Sequence, residues 1–259
     1  MRALVVIPTY NESGSIDALL RRVRNAAPSL DILVVDDGSP DGTANLAEAV
    51  ANDLGKIEVI RRPVKTGLGD AYRTGFRWGL AREYEALLEM DADFSHDPAS
   101  IPRLLDLLED HDLVIGSRYV RGGNVPSWGA HRRFISWAAN QYSSIMLGLP
   151  IRDLTSGFRA FRSTILKRID LNHVEANGYG FQIEMAYLVS LAGGRIVETP
   201  IHFVDRQVGK SKMSPAIALE AVFLVTRFGL RSRVGKHPSP AIPRATEPLP
   251  QERSNASNP

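Results

Sequence analysis

Residues 3–12 read Ala-Leu-Val-Val-Ile-Pro-Thr-Tyr-Asn-Glu, an apolar run that ends abruptly in a proline and polar side chains. An unbroken run of this kind, rich in β-branched residues, is typical of a strand buried on both faces of a parallel sheet. Similar runs occur at residues 32–39, Ile-Leu-Val-Val-Asp-Asp-Gly-Ser, and at residues 86–93, Ala-Leu-Leu-Glu-Met-Asp-Ala-Asp. Each of these predicted strands therefore ends at a group of polar residues.

Stretches with helical spacing separate the predicted strands. Residues 16–23, 43–54 and 71–81 each repeat apolar side chains on one face of a helix. Further strands are predicted at Ile57–Ile60, Leu113–Ile115, Gly157–Phe161 and Arg195–Phe203. The last of these contains a proline, which favours the edge of a sheet. Further helices are predicted at Arg133–Leu147 and Met213–Leu230. This alternation predicts an α/β fold with a mainly parallel central sheet flanked by helices.

Composition excludes several classes of protein. The chain has 259 residues, of which 44% are hydrophobic and 23% charged, as in soluble globular domains. Its 31 Lys and Arg residues nearly balance 29 Asp and Glu residues, so no nucleic-acid partner is expected. The absence of cysteine excludes disulfides and thiolate metal sites and fits a cytosolic address. We expect neither a signal peptide nor a membrane-spanning helix, since no apolar segment fits either one.

The polar groups at three strand ends form the candidate ligand site. They comprise residues 8–12, 36–39 and 91–93. Ligands of open parallel sheets bind beyond the carboxyl ends of the strands, so we expect the three groups to converge on one rim. Asp91 and Asp93 flank one small residue, and such paired carboxylates can hold Mg²⁺ or Mn²⁺ against substrate phosphates. The alternative is that each group is only a turn, since Asp, Gly, Ser and Pro are common there.

Several motifs carry a family resemblance. Four resemble motifs of the family 2 glycosyltransferases of GT-A fold: Pro8-Thr9-Tyr10-Asn11-Glu12, Val34-Val35-Asp36-Asp37-Gly38-Ser39, Met90-Asp91-Ala92-Asp93 and Gly116-Ser117-Arg118-Tyr119. Two more are similar to the polyprenyl-phosphate (dolichyl-phosphate) mannose synthases: Ile151-Arg152-Asp153-Leu154-Thr155-Ser156-Gly157-Phe158 and Arg206-Gln207-Val208-Gly209-Lys210-Ser211-Lys212. The resemblance implies a Rossmann-like GT-A domain, in the form without transmembrane helices. It also implies inverting transfer of mannose from GDP-mannose to a polyprenyl phosphate.

The resemblance further implies roles for individual residues. The nucleotide sugar would contact Pro8, Tyr10, Glu12, Val35, Asp37, Asp91, Ala92, Asp93, Arg118, Arg206 and Lys212. The acceptor phosphate would contact Arg118, Arg132 and Lys212. The catalytic group would be Asp91, Asp93, Arg118 and Arg206. A divalent cation, Mg²⁺ or Mn²⁺, would be held by Asp91 and Asp93. Some relatives add a Gln ligand where this chain has Ser95, so a hydroxyl or a water would take that place.

The basic residues agree with a phosphate acceptor on chemical grounds. A lipid phosphate is already ionised near neutral pH, whereas a hydroxyl acceptor needs a positioned base to take its proton. Arginine binds phosphate oxygens in pairs and offsets the repulsion between the acceptor phosphate and the donor diphosphate. Three alternatives stay open: a transferase that uses a UDP-sugar such as UDP-glucose, a hydroxyl-acceptor transferase, and a non-catalytic sugar-nucleotide-binding protein. The acidic pair argues against the last of these.

We expect residues 1–212 to form a single catalytic domain, with a nucleotide-sugar half (1–121) and an acceptor half (122–212). Residues 213–234 are expected to form an amphipathic helix that lies at a membrane interface or packs on the core. The proline-rich residues 235–259 are expected to be a disordered tail. Because the acceptor is a membrane lipid and GDP-mannose is cytosolic, we expect peripheral association with the cytoplasmic face of a membrane, directly or through a membrane-protein partner.

Overall fold

A single sheet with helices on both faces makes up the described part of the chain. The computed structural model describes residues 1–176, 178–205 and 215–233. Within them the strands are β1 (Ala3–Thr9), β2 (Asp31–Asp36), β3 (Ile57–Arg61), β4 (Ala86–Glu89), β5 (Leu113–Ser117), β6 (Arg159–Arg162) and β7 (Ile196–Pro200). The helices are α1 (Ile16–Ala26), α2 (Thr43–Leu54), α3 (Leu68–Ala81), α4 (Ile101–Leu108), α5 (Ala130–Leu147), α6 (Ser163–Leu166), α7 (Tyr179–Leu191) and α8 (Pro215–Arg233).

The order of the strands is β3-β2-β1-β4-β6-β5-β7. Neighbouring strands are parallel except around β6, which runs antiparallel to both β4 and β5. The predicted, mainly parallel sheet is therefore confirmed, and β7 lies at its edge as expected. From β1 the chain builds β2 and β3 in one direction and then places β4 on the other side of β1. A switch of this kind opens a crevice at the carboxyl ends of β1 and β4, where ligands bind in open α/β sheets.

Helices cover both faces of the sheet, which explains why its central strands are apolar throughout. Leu4 and Val6 of β1 pack in the cluster that includes α3 and α7, whereas Val5 and Ile7 pack with α1, α2 and α4. All four side chains are fully buried. Gly79 brings α3 close to the sheet, since a Cβ there would come within 2.5 Å of a methyl carbon of Leu87. The carboxyl ends of the central strands β1 and β4 are thus carried on a buried part of the sheet.

Several predicted bounds were wrong by a few residues. Helix α3 begins at Leu68, directly after Gly67, and not at residue 71. Helix α5 begins at Ala130, three residues earlier than predicted. Strand β6 begins at Arg159, two residues later than predicted, because Gly157 and Phe158 lie in the loop that approaches Asp91. Strand β7 ends at Pro200, three residues earlier than predicted. The start of the helix predicted from residue 213 and the tail at 235–259 lie outside the described residues, and α8 is described from 215 to 233.

Candidate active site

Side-chain hydrogen bonds join the carboxyl ends of β1 and β2. The Thr9 hydroxyl donates to Asp36 Oδ2 at 2.8 Å, and Ser39 donates to the same carboxylate through its amide at 2.9 Å and its hydroxyl at 2.6 Å. The Ser39 hydroxyl in turn accepts from the Asn11 amide at 3.0 Å. Asp36 therefore orders the rim by holding the two turns together.

The first turn of α2 fixes the loop that carries Glu12. The Glu12 amide donates to Thr43 Oγ1 at 2.9 Å, and the Ser13 amide donates to Asp41 Oδ2 at 3.0 Å. Thr43 donates to the other Asp41 oxygen through its hydroxyl at 2.6 Å. Although partial burial opposes ionisation, the hydrogen bonds from Thr43 and Ser13 lower the pKa of Asp41 to about 2. The loop is thus tied to a carboxylate that is ionised at neutral pH.

The residues predicted to contact the nucleotide flank this rim. Pro8 on β1 lies in register with Val35 on β2, and the Val35 side chain is buried in the core beneath the rim. The ammonium group of Lys65 lies 4.1 Å from the ring centroid of Tyr10. Ala92, between the two predicted metal ligands, is buried as well. Their contacts with a nucleotide stay predictions.

Asp37 forms an ion pair with Arg62, a residue that the sequence analysis missed. Their closest atoms are 3.3 Å apart, and both side chains are almost fully buried. Burial raises the pKa of Asp37, and the charge of Arg62 opposes this rise. Arg62 also pairs with Asp70 of α3, which pairs with Arg73 at 3.1 Å. Arg62 directly follows β3, so the rule that polar residues at strand ends line the site would have identified it.

The acidic pair lies at the switch point, just after β4. The Tyr72 hydroxyl of α3 donates to Asp91 Oδ1 at 3.3 Å, and the Ser95 amide donates to Asp93 Oδ1 at 3.1 Å. The Ser95 hydroxyl is buried and has no hydrogen-bond partner among the described residues. Gly157 leaves room beside Asp91, since a Cβ there would come within 3.7 Å of both carboxylate oxygens. Two carboxylates and an orphaned hydroxyl fit a hard divalent cation.

His96 is buried behind this pair and supports it. Its Nδ1 accepts a hydrogen bond from the Asp91 amide at 3.2 Å. Burial lowers the pKa of His96 to about 4, so the ring is neutral and can accept. The His96 ring also packs edge-on against Phe203, with ring centroids 5.7 Å apart, and the guanidinium carbon of Arg118 lies 5.3 Å from the same Phe203 centroid. The acidic and basic parts of the candidate site therefore meet around these two rings.

Arg118, at the end of β5, is held by a fully buried carboxylate. Its Nε and Nη2 atoms donate to the two oxygens of Asp153 at 2.8 and 2.6 Å. Although burial opposes ionisation, the charge and hydrogen bonds of Arg118 keep the pKa of Asp153 below its ordinary value. Arg118 was predicted from its motif, and the structure identifies Asp153 as the residue that orients it.

Arg132 and Arg118, the two described residues predicted to bind the acceptor phosphate, pack on the same side chain, that of Trp128. The guanidinium carbon of Arg132 is 4.1 Å from the centroid of a Trp128 ring, and that of Arg118 is 5.4 Å from it. Arg132 also forms an exposed ion pair with Asp205 at 2.8 Å. Two further predicted cations lie outside the described residues: Arg206 and Lys212.

One protein family and several known proteins are similar to this chain. The family model for glycosyl transferase family 2 matches residues 4–170. An undecaprenyl-phosphate mannosyltransferase of Micrococcus luteus is 52% identical, over 90% of this chain and 96% of that protein. A polyprenol monophosphomannose synthase of Mycolicibacterium smegmatis is 48% identical, over 91% of this chain and 89% of that protein.

A solved structure has a similar fold. Glucosyl-3-phosphoglycerate synthase from Mycobacterium tuberculosis, in complex with Mn²⁺, UDP and glucosyl-3-phosphoglycerate, superposes with a TM-score of 0.62. The match covers 90% of this chain and 80% of that one, at 21% sequence identity. At this identity the likeness establishes a shared fold and carries no information about the substrates of this chain.

Proposed function

The chain belongs to glycosyl transferase family 2, and we propose that it transfers mannose from GDP-mannose to a polyprenyl phosphate. The acceptor and the sugar are those in the names of the two relatives at 52% and 48% identity. GDP-mannose is the donor that the family resemblance implies. One feature of the site carries the proposal: His96, which accepts a hydrogen bond from the Asp91 amide, and Arg118 both pack on the ring of Phe203. A metal-bound diphosphate and a phosphate monoester can thus be held side by side.

In the proposed reaction, an oxygen of the acceptor phosphate attacks the anomeric carbon of mannose. The bond from that carbon to the diphosphate oxygen breaks, its electron pair leaves with GDP, and the configuration inverts. Because the acceptor oxygen is already ionised, no residue has to accept a proton. Arg118 and Arg132 bind and orient the acceptor phosphate, and their positive charges offset its repulsion from the diphosphate. The products are polyprenyl-phosphate mannose and GDP.

Asp91 and Asp93, together with the Ser95 hydroxyl, are the residues that would hold the divalent cation. When bound, Mg²⁺ or Mn²⁺ supplies positive charge that stabilises the departing diphosphate. The chain orients these oxygens in advance, since Tyr72 donates to Asp91, and His96 fixes the backbone between β4 and the acidic pair. Such preorganisation spares the site from rearranging during the reaction.

The proposal is tested by sugar transfer to a polyprenyl phosphate in detergent, from GDP-mannose, UDP-glucose or UDP-N-acetylglucosamine, with and without Mn²⁺ or Mg²⁺. We expect mannosyl lipid from GDP-mannose alone and only when the cation is present. Product from a UDP-sugar would replace the assigned donor and keep the reaction type. Tight binding of a nucleotide sugar with no transfer from any donor would contradict the enzymatic proposal and favour a sugar-nucleotide-binding protein.

We also propose that α5 and α8 hold the enzyme against the membrane that contains the acceptor. The two helices pack together through a hydrogen bond between Tyr142 and Thr226 at 2.6 Å. Their outer faces expose large apolar side chains: Phe134, Ile135, Trp137 and Ile145 on α5 and Val222, Phe223 and Leu230 on α8. No helix in the described ranges has the length and hydropathy to cross a bilayer. Exposed aromatic residues beside arginines are typical of helices that lie in the interface.

The structure refines the sequence-based alternatives for α8. Leu224, Val225 and Phe228 pack on the core, while Phe223 is 70% exposed, so one helix has both a buried and an exposed apolar face. Arg227 of the same helix forms an ion pair with Glu175. Contact with the membrane therefore depends on the exposed face together with α5.

Substitution of Phe223 by glutamate is expected to weaken binding to anionic lipid vesicles about tenfold. Burying one aromatic side chain in the interface contributes about 1.5 kcal/mol, which corresponds to that factor. Flotation with vesicles measures the loss, and transfer to a short-chain, detergent-soluble acceptor is expected to stay unchanged. The matched control is Leu46→Glu, which adds the same charge at an exposed apolar residue of α2. Equal flotation of the Phe223 variant and wild type would contradict the assignment.

A further inference from the structure

Asp153 receives three hydrogen bonds from a single residue. Besides the two from the guanidinium group of Arg118, the Arg118 backbone amide donates to Asp153 Oδ2 at 2.9 Å. The Asp153 side chain is fully buried, and that of Arg118 is 6% exposed. Because one carboxylate bonds to both the backbone and the end of the side chain, it closes a ring that restricts every torsion of the arginine between them.

The loop that carries Asp153 is itself anchored to the sheet. The amides of Arg152 and Asp153 donate to the two oxygens of Glu198 on β7, at 2.8 and 2.9 Å. Because these hydrogen bonds fix the backbone of Asp153 to the edge strand, its carboxylate cannot follow Arg118 if the arginine moves. The orientation of Arg118 is therefore imposed by the loop and the strand.

Thr155 extends this network to helix α5. Its hydroxyl accepts from Arg118 Nη2 at 2.7 Å and from Asn140 Nδ2 at 3.2 Å, and its amide donates to Asn140 Oδ1 at 3.2 Å. Asn140 is fully buried in α5, the helix whose first turn carries Arg132. The bonds thus link the strand that positions one predicted phosphate-binding arginine to the helix that positions the other.

Aromatic rings complete the surroundings of the Arg118 guanidinium. Its central carbon lies 5.3 Å from the ring centroid of Phe203 and 5.4 Å from that of Trp128. Trp128 packs on Arg132 as well. Walls of this kind exclude water and strengthen the interaction of the arginine with a phosphate.

On the basis of the proposed function, we propose that Asp153, together with Thr155, is a positioning residue for the acceptor phosphate. Asp153 fixes the guanidinium of Arg118, and Thr155 couples that guanidinium to the helix of Arg132, so the two positive charges are held at a set separation. The pair acts through Arg118 and takes no part in bond making. A buried ion pair is by itself weak evidence that its two residues stabilise the fold. In this pair, the arginine is also one of the residues predicted to bind the acceptor phosphate.

The test measures binding of farnesyl phosphate, in detergent and without donor, and separately the KM values for acceptor and GDP-mannose. Asp153→Asn keeps the shape but turns an amide donor toward Arg118, and we expect acceptor Kd and KM to rise about tenfold or more. Thr155→Val removes only the hydroxyl and is expected to raise both about threefold. The KM for GDP-mannose is expected to rise less than the KM for the acceptor in both variants, although Arg118 is predicted to contact both substrates. The control Glu48→Gln removes the carboxylate of the exposed Arg61 pair and should change nothing.

Acceptor Kd and KM equal to wild type in a folded Asp153→Asn protein would overturn the inference, as would an increase confined to the KM of GDP-mannose. If Asp153→Asn does not fold, Thr155→Val decides by the same criteria, because the ion pair remains intact in it. Failure of the proposed function looks different. In that case wild type transfers no mannose, yet binding of farnesyl phosphate still reports whether Asp153 and Thr155 position Arg118.

Discussion

Asp93→Ala is expected to lower the rate of mannose transfer by about 10²- to 10³-fold and to leave the fold intact. Asp93 lies just beyond β4, is 6% exposed and accepts a hydrogen bond from the Ser95 amide. Removing one carboxylate from the proposed cation site takes away charge stabilisation of the departing diphosphate, and losses of this size follow removal of one preorganised electrostatic group. The rate is measured with saturating GDP-mannose and polyprenyl phosphate in Mn²⁺.

A second measurement separates loss of the cation from loss of the fold. In wild type the affinity for GDP is expected to rise when Mn²⁺ is added, and in Asp93→Ala this dependence is expected to disappear while GDP still binds. The matched control is Asp110→Ala, which removes an exposed carboxylate from the turn after α4. An Asp93→Ala enzyme that keeps more than about a tenth of the wild-type rate would contradict the assigned role.

Arg159→Met is expected to destabilise the protein by about 4 kcal/mol. Arg159 is fully buried on β6 and donates to three backbone carbonyls: Ser156 at 2.7 Å, Gln182 at 2.6 Å and Leu154 at 2.7 Å. It also faces Glu89 in register across the sheet. Burial raises the pKa of Glu89 to about 8, and the charge of Arg159 opposes this rise. Methionine fills much of the volume but leaves the carbonyls without donors.

Urea denaturation measures the free energy of unfolding in this experiment. The control is Arg61→Met, because Arg61 makes its ion pair with Glu48 at the surface, where such pairs contribute less than about 1 kcal/mol. The two substitutions are chemically identical but differ in burial and in the partners that lose a donor. A loss of stability below about 1 kcal/mol for Arg159→Met would show that the loop and α7 do not depend on this side chain.

The strands were predicted well because each has two agreeing signals. Apolar runs locate β1 to β5, and the polar residues that follow them mark where each strand ends, so most bounds differ by only one or two residues. Three helices were not predicted: α4, α6 and α7. Helix α6 has only four residues, Ser163–Leu166, too few to show a helical period. Helix α4 repeats Ile101, Leu104 and Leu108 at helical spacing, a signal that was present in the sequence. Helix α7 buries residues such as Phe181 and Met185 around much of its circumference, which hides the helical period.

The candidate site likewise contains some residues that the sequence indicated and others that only the structure revealed. Asp91 and Asp93 were found because they follow a strand, which is enough to place them on the rim, whereas Arg118 was found from the family resemblance of its motif. The side chains that hold the predicted site residues were not identified in that role. Tyr72 donates to Asp91, Arg62 pairs with Asp37, and Asp153 holds Arg118. Each partner lies on another element. The structure also shows that Phe134 and Trp137 of α5 are exposed.

The amino-acid pattern specified the α/β class, the rim of the sheet and the residues at it, because buried strands and their polar ends are local features of a few residues each. The antiparallel direction of β6, the partner of each charged group and the exposed faces of α5 and α8 are non-local properties. They depend on which segments meet after folding, and a buried charge such as Arg118 acquires its orientation only from the carboxylate that satisfies it there. The chemistry at the rim can therefore be read along the chain, whereas the geometry that directs it arises from packing.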